Sequence, residues 1–440
     1  MKRFINLLVI YLLICSISYS CGTQRDTYTV VVSLDAFRSD YPEIYETPGL
    51  DEIAEEGIRC ILEPSYPAST FPNHYTIVTG LVPDHHGIVN ASFWNPETNK
   101  TYSMGDSLTR YNPQYYAGEP IWVTAEKAGI MTGNIYWVGS DVAIQGTLPK
   151  YGYPWWEKPH LTYEQRADET VKLLSLPKSE RPNLVMVYFD DPDLVSHKYG
   201  PLALETKEMV AQLDSIVINM YHRLKKLPHG DRVNLIILSD HGMTEINHDK
   251  FIDWDDYLKP SWYEHILGTT PTNIYAKENC IDSIMVALAE VEHINVWRHG
   301  DVPESLNYGT SNHCGDVIVA PDLGWQFAGK LNTNLGAHGY SPEENDMKSI
   351  FIATGPYFEK YRTSTIKSIR NIDIYSLLAD MLGIEPVKTD GTMPNFKRQT
   401  DRCGLVIHQT HSSKSNTLIF NKLTFRVGKL LIPVYLYSLT

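Results

Sequence analysis

None of the six cysteines is spaced as a CxxC pair, so a zinc knuckle is excluded at the outset. Positive charge is also short. With 38 Lys and Arg against 52 Asp and Glu, the formal net charge is −14, which removes the electrostatic basis of non-specific nucleic-acid binding. An anionic substrate would need local positive charge, and bound metal ions supply it without altering the overall balance. No apolar run is long enough to span a bilayer comfortably, because Leu7 to Ile14 and Leu430 to Leu439 both fall short. Internal repeats and low-complexity tracts are absent as well.

What remains is an ordinary globular balance, 43% hydrophobic and 20% charged, over 440 residues. That length allows one large α/β core with an insertion, or two lobes. Lys2 and Arg3, the apolar run and the small or polar residues up to Cys21 read as an export signal over residues 1–21. Ser18-Tyr19-Ser20-Cys21-Gly22 is similar to a bacterial lipoprotein cleavage box with Cys21 as the lipidated residue, simple cleavage nearby being the alternative. The expected location is therefore outside the cytoplasm, in a periplasm or as a cell-envelope lipoprotein, with membrane attachment only through Cys21. Cys60, Cys280, Cys314 and Cys403 remain, and Cys280 with Cys314 is a guess at a disulfide, since spacing does not fix connectivity.

Strand-like runs end repeatedly at residues capable of chemistry. Thr29 to Leu34 leads into Asp35, Leu184 to Phe189 into Asp190, and Leu235 to Leu238 into Ser239 and Asp240. Helical patterns lie between them, at Arg166 to Leu174 and Glu205 to Leu227. Alternating strands and helices imply a mostly parallel sheet covered on both faces, with ligands gathering at the carboxyl ends of the strands. From about 251 to 326 the order changes to Thr272 to Ala276, a helix Ile281 to Val291, His293 to Trp297 and Asp316 to Ala320, which reads as a smaller inserted α+β lobe. The chain then returns to the sheet through Ser349 to Ala353, and a helix Asn371 to Leu382 stops at Gly383. Residues 401–440 form an atypical basic and apolar extension of net charge +4, read as a docking strand or an unstructured tail.

Asp193 and His197 are four apart, so one helical turn puts carboxylate and imidazole on the same face. Asp240 and His241 precede Gly242, whose backbone freedom suits a bend that lets both reach one ion. Asp35 repeats the strand-end arrangement, and His338 lies between small residues in Gly336-Ala337-His338-Gly339. Carboxylate and imidazole without thiolate suit zinc, while manganese or iron accept similar sites. Thr70, in Ser69-Thr70-Phe71-Pro72-Asn73, offers a hydroxyl that needs a metal or a base to become a nucleophile. His74 is the nearest candidate base, and metal activation is the preferred reading. A helix starting at Thr70 would add N–H groups that attract phosphate.

Five segments taken together, Ser33-Leu34-Asp35-Ala36-Phe37-Arg38, Thr70-Phe71-Pro72-Asn73-His74-Tyr75, Asp193-Leu194-Val195-Ser196-His197, Ser239-Asp240-His241-Gly242-Met243 and Ala337-His338-Gly339-Tyr340, resemble the nucleotide pyrophosphatase/phosphodiesterase branch of the alkaline phosphatase superfamily. The resemblance runs from about Thr27 to Pro394, within a domain placed at 27–400. It implies an alkaline-phosphatase-like α/β fold and two zinc ions, one on Asp193, His197 and His338, the other on Asp35, Asp240 and His241. It further implies attack by Thr70 on phosphorus, a phosphothreonine intermediate and release of a nucleoside monophosphate from a small phosphodiester or nucleotide. Phe71 and Tyr188 fall where relatives stack a nucleobase, and Tyr151, Trp155 and Trp156 are expected to complete that slot. The family's phosphate-binding asparagine falls on Ala91; adjacent Asn90 is expected to replace it, and without it the rate would drop by about 10²-fold or more. The alternatives are a phosphonate, phosphomonoester or lipid phosphodiester hydrolase on the same scaffold, and, less favoured, a non-catalytic surface-binding protein. Sulfatase chemistry is disfavoured because the nucleophile position is Thr70 rather than Cys or Ser.

Overall fold

The computed structural model describes residues 27–396 apart from 363 and 365, together with the backbone of 421–427 and 430–436. Residues 1–21, expected to be an export signal, and Cys403 lie outside the described residues. At the centre is an eight-stranded sheet in the spatial order Ser368–Arg370, Ile58–Glu63, Ser349–Thr354, Val233–Leu238, Tyr28–Leu34, Leu184–Phe189, Thr132–Ile135 and Tyr151–Tyr153. Seven strands run the same way, and Ser349–Thr354 alone is antiparallel to both its neighbours.

The strand sequences explain why the sheet is buried on both faces. All seven residues of Tyr28–Leu34 are buried, and its side chains alternate between two cores. Val31 joins Met186, Ile236 and Phe351 under helices Thr70–Thr79, Ile121–Lys127 and Ile374–Leu382. Val30 and Val32 join Val187, Ile237 and Ile352 under helices Pro48–Glu55, Tyr163–Ser175 and Leu204–Lys225. Each such side chain contributes about 1.5–3 kcal/mol by leaving water, so a one-residue slip would be costly. The long helix also secures its neighbour, since Asp214 accepts the N–H groups of Gly49 (3.0 Å) and Leu50 (2.7 Å) at the start of Pro48–Glu55.

The inserted lobe is a separate antiparallel sheet ordered Tyr263–Leu267, Thr272–Ala276, Val317–Pro321 and Ile294–Arg298. Helix Ile281–Leu288 covers it, closing a small core of Ile274, Ile284, Leu288, Val317 and Val319. Tyr263–Leu267 was not anticipated, because its residues Tyr-Glu-His-Ile-Leu lack clean alternation. The tail differs from a single docking strand: Asn421–Val427 and Leu430–Leu436 pair with each other as a hairpin. Cys60, Cys280 and Cys314 are free thiols, so the guessed Cys280 to Cys314 bridge is not formed; Cys314 is buried with its sulfur 3.6 Å from Asp84 Oδ1.

Candidate active site

Strand register delivers the first group of ligands. Ser33 pairs with Leu238 and Leu34 with Phe189, so the chain leaves three adjacent parallel strands at one edge, carrying Asp35, Asp240 and Asp193 to it. Ala36, directly after Asp35, takes the left-handed region at φ 55°, an uncommon conformation for a residue with a Cβ. The turn points its N–H at Asp240 Oδ1, 3.3 Å away. Local strain at such a turn is maintained by the surrounding packing.

The histidines arrive from three different elements. His197 sits one turn after Asp193 on helix Asp193–Tyr199, as the four-residue spacing requires. His338 follows the two-residue strand Gly336–Ala337, which pairs with Thr244–Glu245. That strand pair can approach the helix because residue 336 is glycine: a Cβ there would lie 2.4 Å from the Ser196 carbonyl oxygen. Each imidazole donates its Nδ1–H to a main-chain carbonyl, His197 to Gly336 (2.8 Å), His241 to Gly242 (2.8 Å) and His338 to Ala68 (3.2 Å). A carbonyl only accepts, so all three tautomers are fixed with the Nε2 lone pair turned into the site, where that of His241 meets the Thr70 hydroxyl.

Two trios result. Asp193 Oδ1 lies 3.4 Å from His197 Nε2 and 3.6 Å from His338 Nε2. His241 Nε2 lies 3.5 Å from Asp35 Oδ1 and 3.1 Å from Asp240 Oδ2. Within each trio the ligand atoms all fall within 4.8 Å of one another. Thr70 opens helix Thr70–Thr79, and its Oγ1 is 3.1 Å from His241 Nε2.

The electrostatics suit divalent cations at both trios. Asp35 Oδ1, Asp193 Oδ1 and Asp240 Oδ2 are buried without a hydrogen-bond partner, which is costly unless something else neutralises them. Burial pushes the Asp35 carboxyl well above its ordinary range, and the nearby charges of Asp240 and Asp193 push it further. Burial raises Asp193 too, against the pull of His197 and His241. For Asp240 burial acts in the same direction, but His241 and His74 outweigh it and hold that carboxyl well below the usual value. Burial depresses His338, with His241 and His197 adding to the effect. A dication held at each trio would relieve acids and imidazoles that frustrate one another in this way.

The remaining expected residues divide. Phe71 is buried next to Thr70, and the Arg110 guanidinium lies over its ring at 5.1 Å. Arg110 also approaches Tyr111 at 5.5 Å and Trp155 at 5.8 Å, and Tyr111 meets Trp156 edge-on at 4.7 Å. Sequence reasoning missed Arg110, which ends the four-residue helix Ser107–Arg110, too short for a periodic signal. Tyr188 is buried, with its ring 6.2 Å from Trp155, and its hydroxyl donates to Asp35 Oδ2 at 2.5 Å, so its polar end serves a predicted ligand. Tyr151 does not join the slot: it pairs with Gly133, two residues before the strand end, and its hydroxyl reaches the Glu180 carbonyl. Asn90 donates to the Pro271 carbonyl (3.0 Å) and accepts from the Ala91 N–H (2.8 Å). To reach phosphate it would have to use its second N–H or break the Pro271 bond. His74 does not serve as the base for Thr70, because its Nδ1 faces the Thr70 carbonyl and not the hydroxyl.

Residues 29–341 match the family described as type I phosphodiesterase / nucleotide pyrophosphatase. The chain is 32% identical over 379 residues to ectonucleotide pyrophosphatase/phosphodiesterase family member 3 of Bos taurus, covering 82% of this chain but only 43% of that relative. It is 32% identical over 396 residues to an uncharacterized pyrophosphatase/phosphodiesterase of Schizosaccharomyces pombe, covering 85% of this chain and 81% of that protein. Among solved structures, murine ectonucleotide pyrophosphatase / phosphodiesterase 5, as an inactive threonine-to-alanine variant in complex with AMP, superposes with a TM-score of 0.79 at 29% identity. That match covers 83% of this chain and 98% of the murine chain.

Proposed function

Because this chain belongs to the type I phosphodiesterase / nucleotide pyrophosphatase family, we propose that it hydrolyses phosphodiester or pyrophosphate bonds of nucleotide-like substrates, with Thr70 as nucleophile and a zinc ion at each trio. The observation that carries this reading is the Thr70 hydroxyl held 3.1 Å from His241 Nε2, at the edge of a buried trio whose carboxylate oxygens lack partners. Zinc held by the two trios would supply positive charge that eases deprotonation of the Thr70 hydroxyl and offsets charge on the leaving oxygen.

The chain's own residues do the rest. The Thr70 hydroxyl gives up its proton to solvent and its Oγ forms a bond to phosphorus as the bond to the leaving oxygen breaks, the leaving group departing to solvent; water then delivers hydroxide to phosphorus and a proton to Thr70 Oγ, restoring the hydroxyl and releasing a nucleoside monophosphate. Thr70 stands at the first helical position, where main-chain N–H groups lack intrahelical acceptors and are available to phosphoryl oxygens. Phe71, Arg110, Tyr111 and Trp155 form an aromatic and cationic wall suited to stacking a base. The murine structure with AMP supports a nucleotide as the substrate class. Arg110 also keeps a phosphomonoester reading in view, since a more highly charged substrate calls for an added cation.

Export accompanies this reading. It is supported by the sequence of residues 1–21 and by relatives named as ectonucleotide and venom phosphodiesterases. Among the described residues no helix is long and apolar enough to cross a membrane. Lipidation of Cys21 and residence in a periplasm are the finer parts of the proposal, tested by detergent partitioning of the full chain against Cys21→Ser.

The direct test of function is hydrolysis of p-nitrophenyl thymidine monophosphate by zinc-loaded wild type and Thr70→Ala. Release of p-nitrophenol by the wild type alone supports the proposal, and equal rates in the two proteins contradict it. Comparing that diester with p-nitrophenyl phosphate separates diesterase from monoesterase.

A further inference from the structure

The side chain of His74 is fully buried, touches no solvent and faces away from the Thr70 hydroxyl, yet three polar groups converge on it. Its Nδ1 lies 3.0 Å from the Thr70 carbonyl oxygen and 3.2 Å from Asp240 Oδ2. Because the carbonyl only accepts, Nδ1 carries the proton, and Nε2 is left to accept from the Ser33 hydroxyl at 2.8 Å. Ser33 is itself buried, two residues before Asp35 on the central strand. The ring is clamped edge-to-face by Trp137 at 5.2 Å and Tyr188 at 4.9 Å. Trp137 Nε1–H also donates to the His74 carbonyl at 3.3 Å.

From this geometry we infer that His74 is a positioning residue that bonds the backbone of Thr70 and lays the same polar Nδ1 edge against Asp240 Oδ2, a 3.2 Å electrostatic contact and not a second hydrogen bond, so that nucleophile and metal ligand are set by one imidazole. The inference rests on the two-metal reading above. Without the tie, the Asp240 carboxylate loses the polar edge it lies against, and the first turn of the Thr70 helix loses its link to the strand end. The consequence is specific to one trio: Asp35, Asp240 and His241 should hold their ion less tightly, while Asp193, His197 and His338 should be unaffected.

The test is zinc retained per chain after dialysis against graded chelator, measured by atomic emission, for wild type, His74→Leu and His74→Asn. Wild type should retain two ions. His74→Leu should weaken one of the two sites by about 10–100-fold, the cost usual for losing a partner behind a metal ligand. His74→Asn, which places an amide N–H near the position of Nδ1, should recover most of that loss, and kcat should follow the same order with KM little changed. Equal retention of both ions by His74→Leu overturns the inference. A wild type that takes up fewer than two zinc ions overturns the two-metal reading beneath it, which distinguishes the two failures. If His74→Leu does not fold, Ser33→Ala removes only the hydroxyl on Nε2; it should loosen the same site several-fold, and unchanged retention there overturns the inference equally.

Discussion

The two trios use the same ligand types, yet the fold holds them differently. Asp35, Asp240 and His241 have side chains only 0–1% exposed and stand at the ends of two paired central strands. Asp193, His197 and His338 have side chains 12–25% exposed and come from a short helix and from the residue that follows a two-residue strand. Behind the buried trio stand further polar groups, Tyr188 on Asp35 and His74 beside Asp240. The difference teaches that one trio is built into the sheet and the other is assembled on its surface. The first should hold its ion rigidly next to Thr70, and the second should exchange with solvent more readily.

The largest effect expected from this contrast is loss of the buried trio. Asp240→Asn should lower diester hydrolysis by about 10³-fold or more, on the scale seen when a preorganised electrostatic group is removed, and added zinc should not restore it. A smaller loss, about 10²-fold by the same comparison, is expected for His197→Ala, with partial recovery in excess zinc because that trio is the less buried of the two. Kinetic recovery that is greater for Asp240→Asn than for His197→Ala would reverse the comparison. Chelator added to the loaded wild type should remove zinc in two phases, the faster phase disappearing in His197→Ala. A single phase would mean that burial does not separate the trios. The smallest effect belongs to a site remote from both. Asp214→Ala removes the acceptor of two buried N–H groups and should cost about 1–3 kcal/mol in denaturant unfolding, with zinc content unchanged.

Much of this was legible in the sequence for a physical reason. Apolar strands that end in acids announce both a buried parallel sheet and the ligands at its edge, and Asp193 with His197 carried helical spacing. The family resemblance then sorted the ligands into the two trios that the structure brings together. What was not legible depends on contacts between distant segments. The reversed strand Ser349–Thr354 reads like its parallel neighbours, because burial on both faces erases any mark of direction. Tyr188 was expected through the resemblance to stack a base, and nothing local shows that its hydroxyl meets Asp35. Arg110 lies in a short helix, and its aromatic partners Phe71 and Trp155 come from elsewhere in the chain. His74 was legible as a histidine near Thr70, but the direction its nitrogens face required the folded backbone.

The central claim is that Thr70 itself takes the phosphoryl group, at the edge of the buried trio. The most direct measurement is mass spectrometry of peptides from zinc-loaded wild type, acid-quenched during turnover of a nucleotide diester. The account predicts a nucleotidyl adduct on the peptide that carries Thr70, absent from Thr70→Ala and from protein stripped of metal. Turnover by the wild type with no adduct at Thr70, alongside full activity in Thr70→Ala, would contradict it.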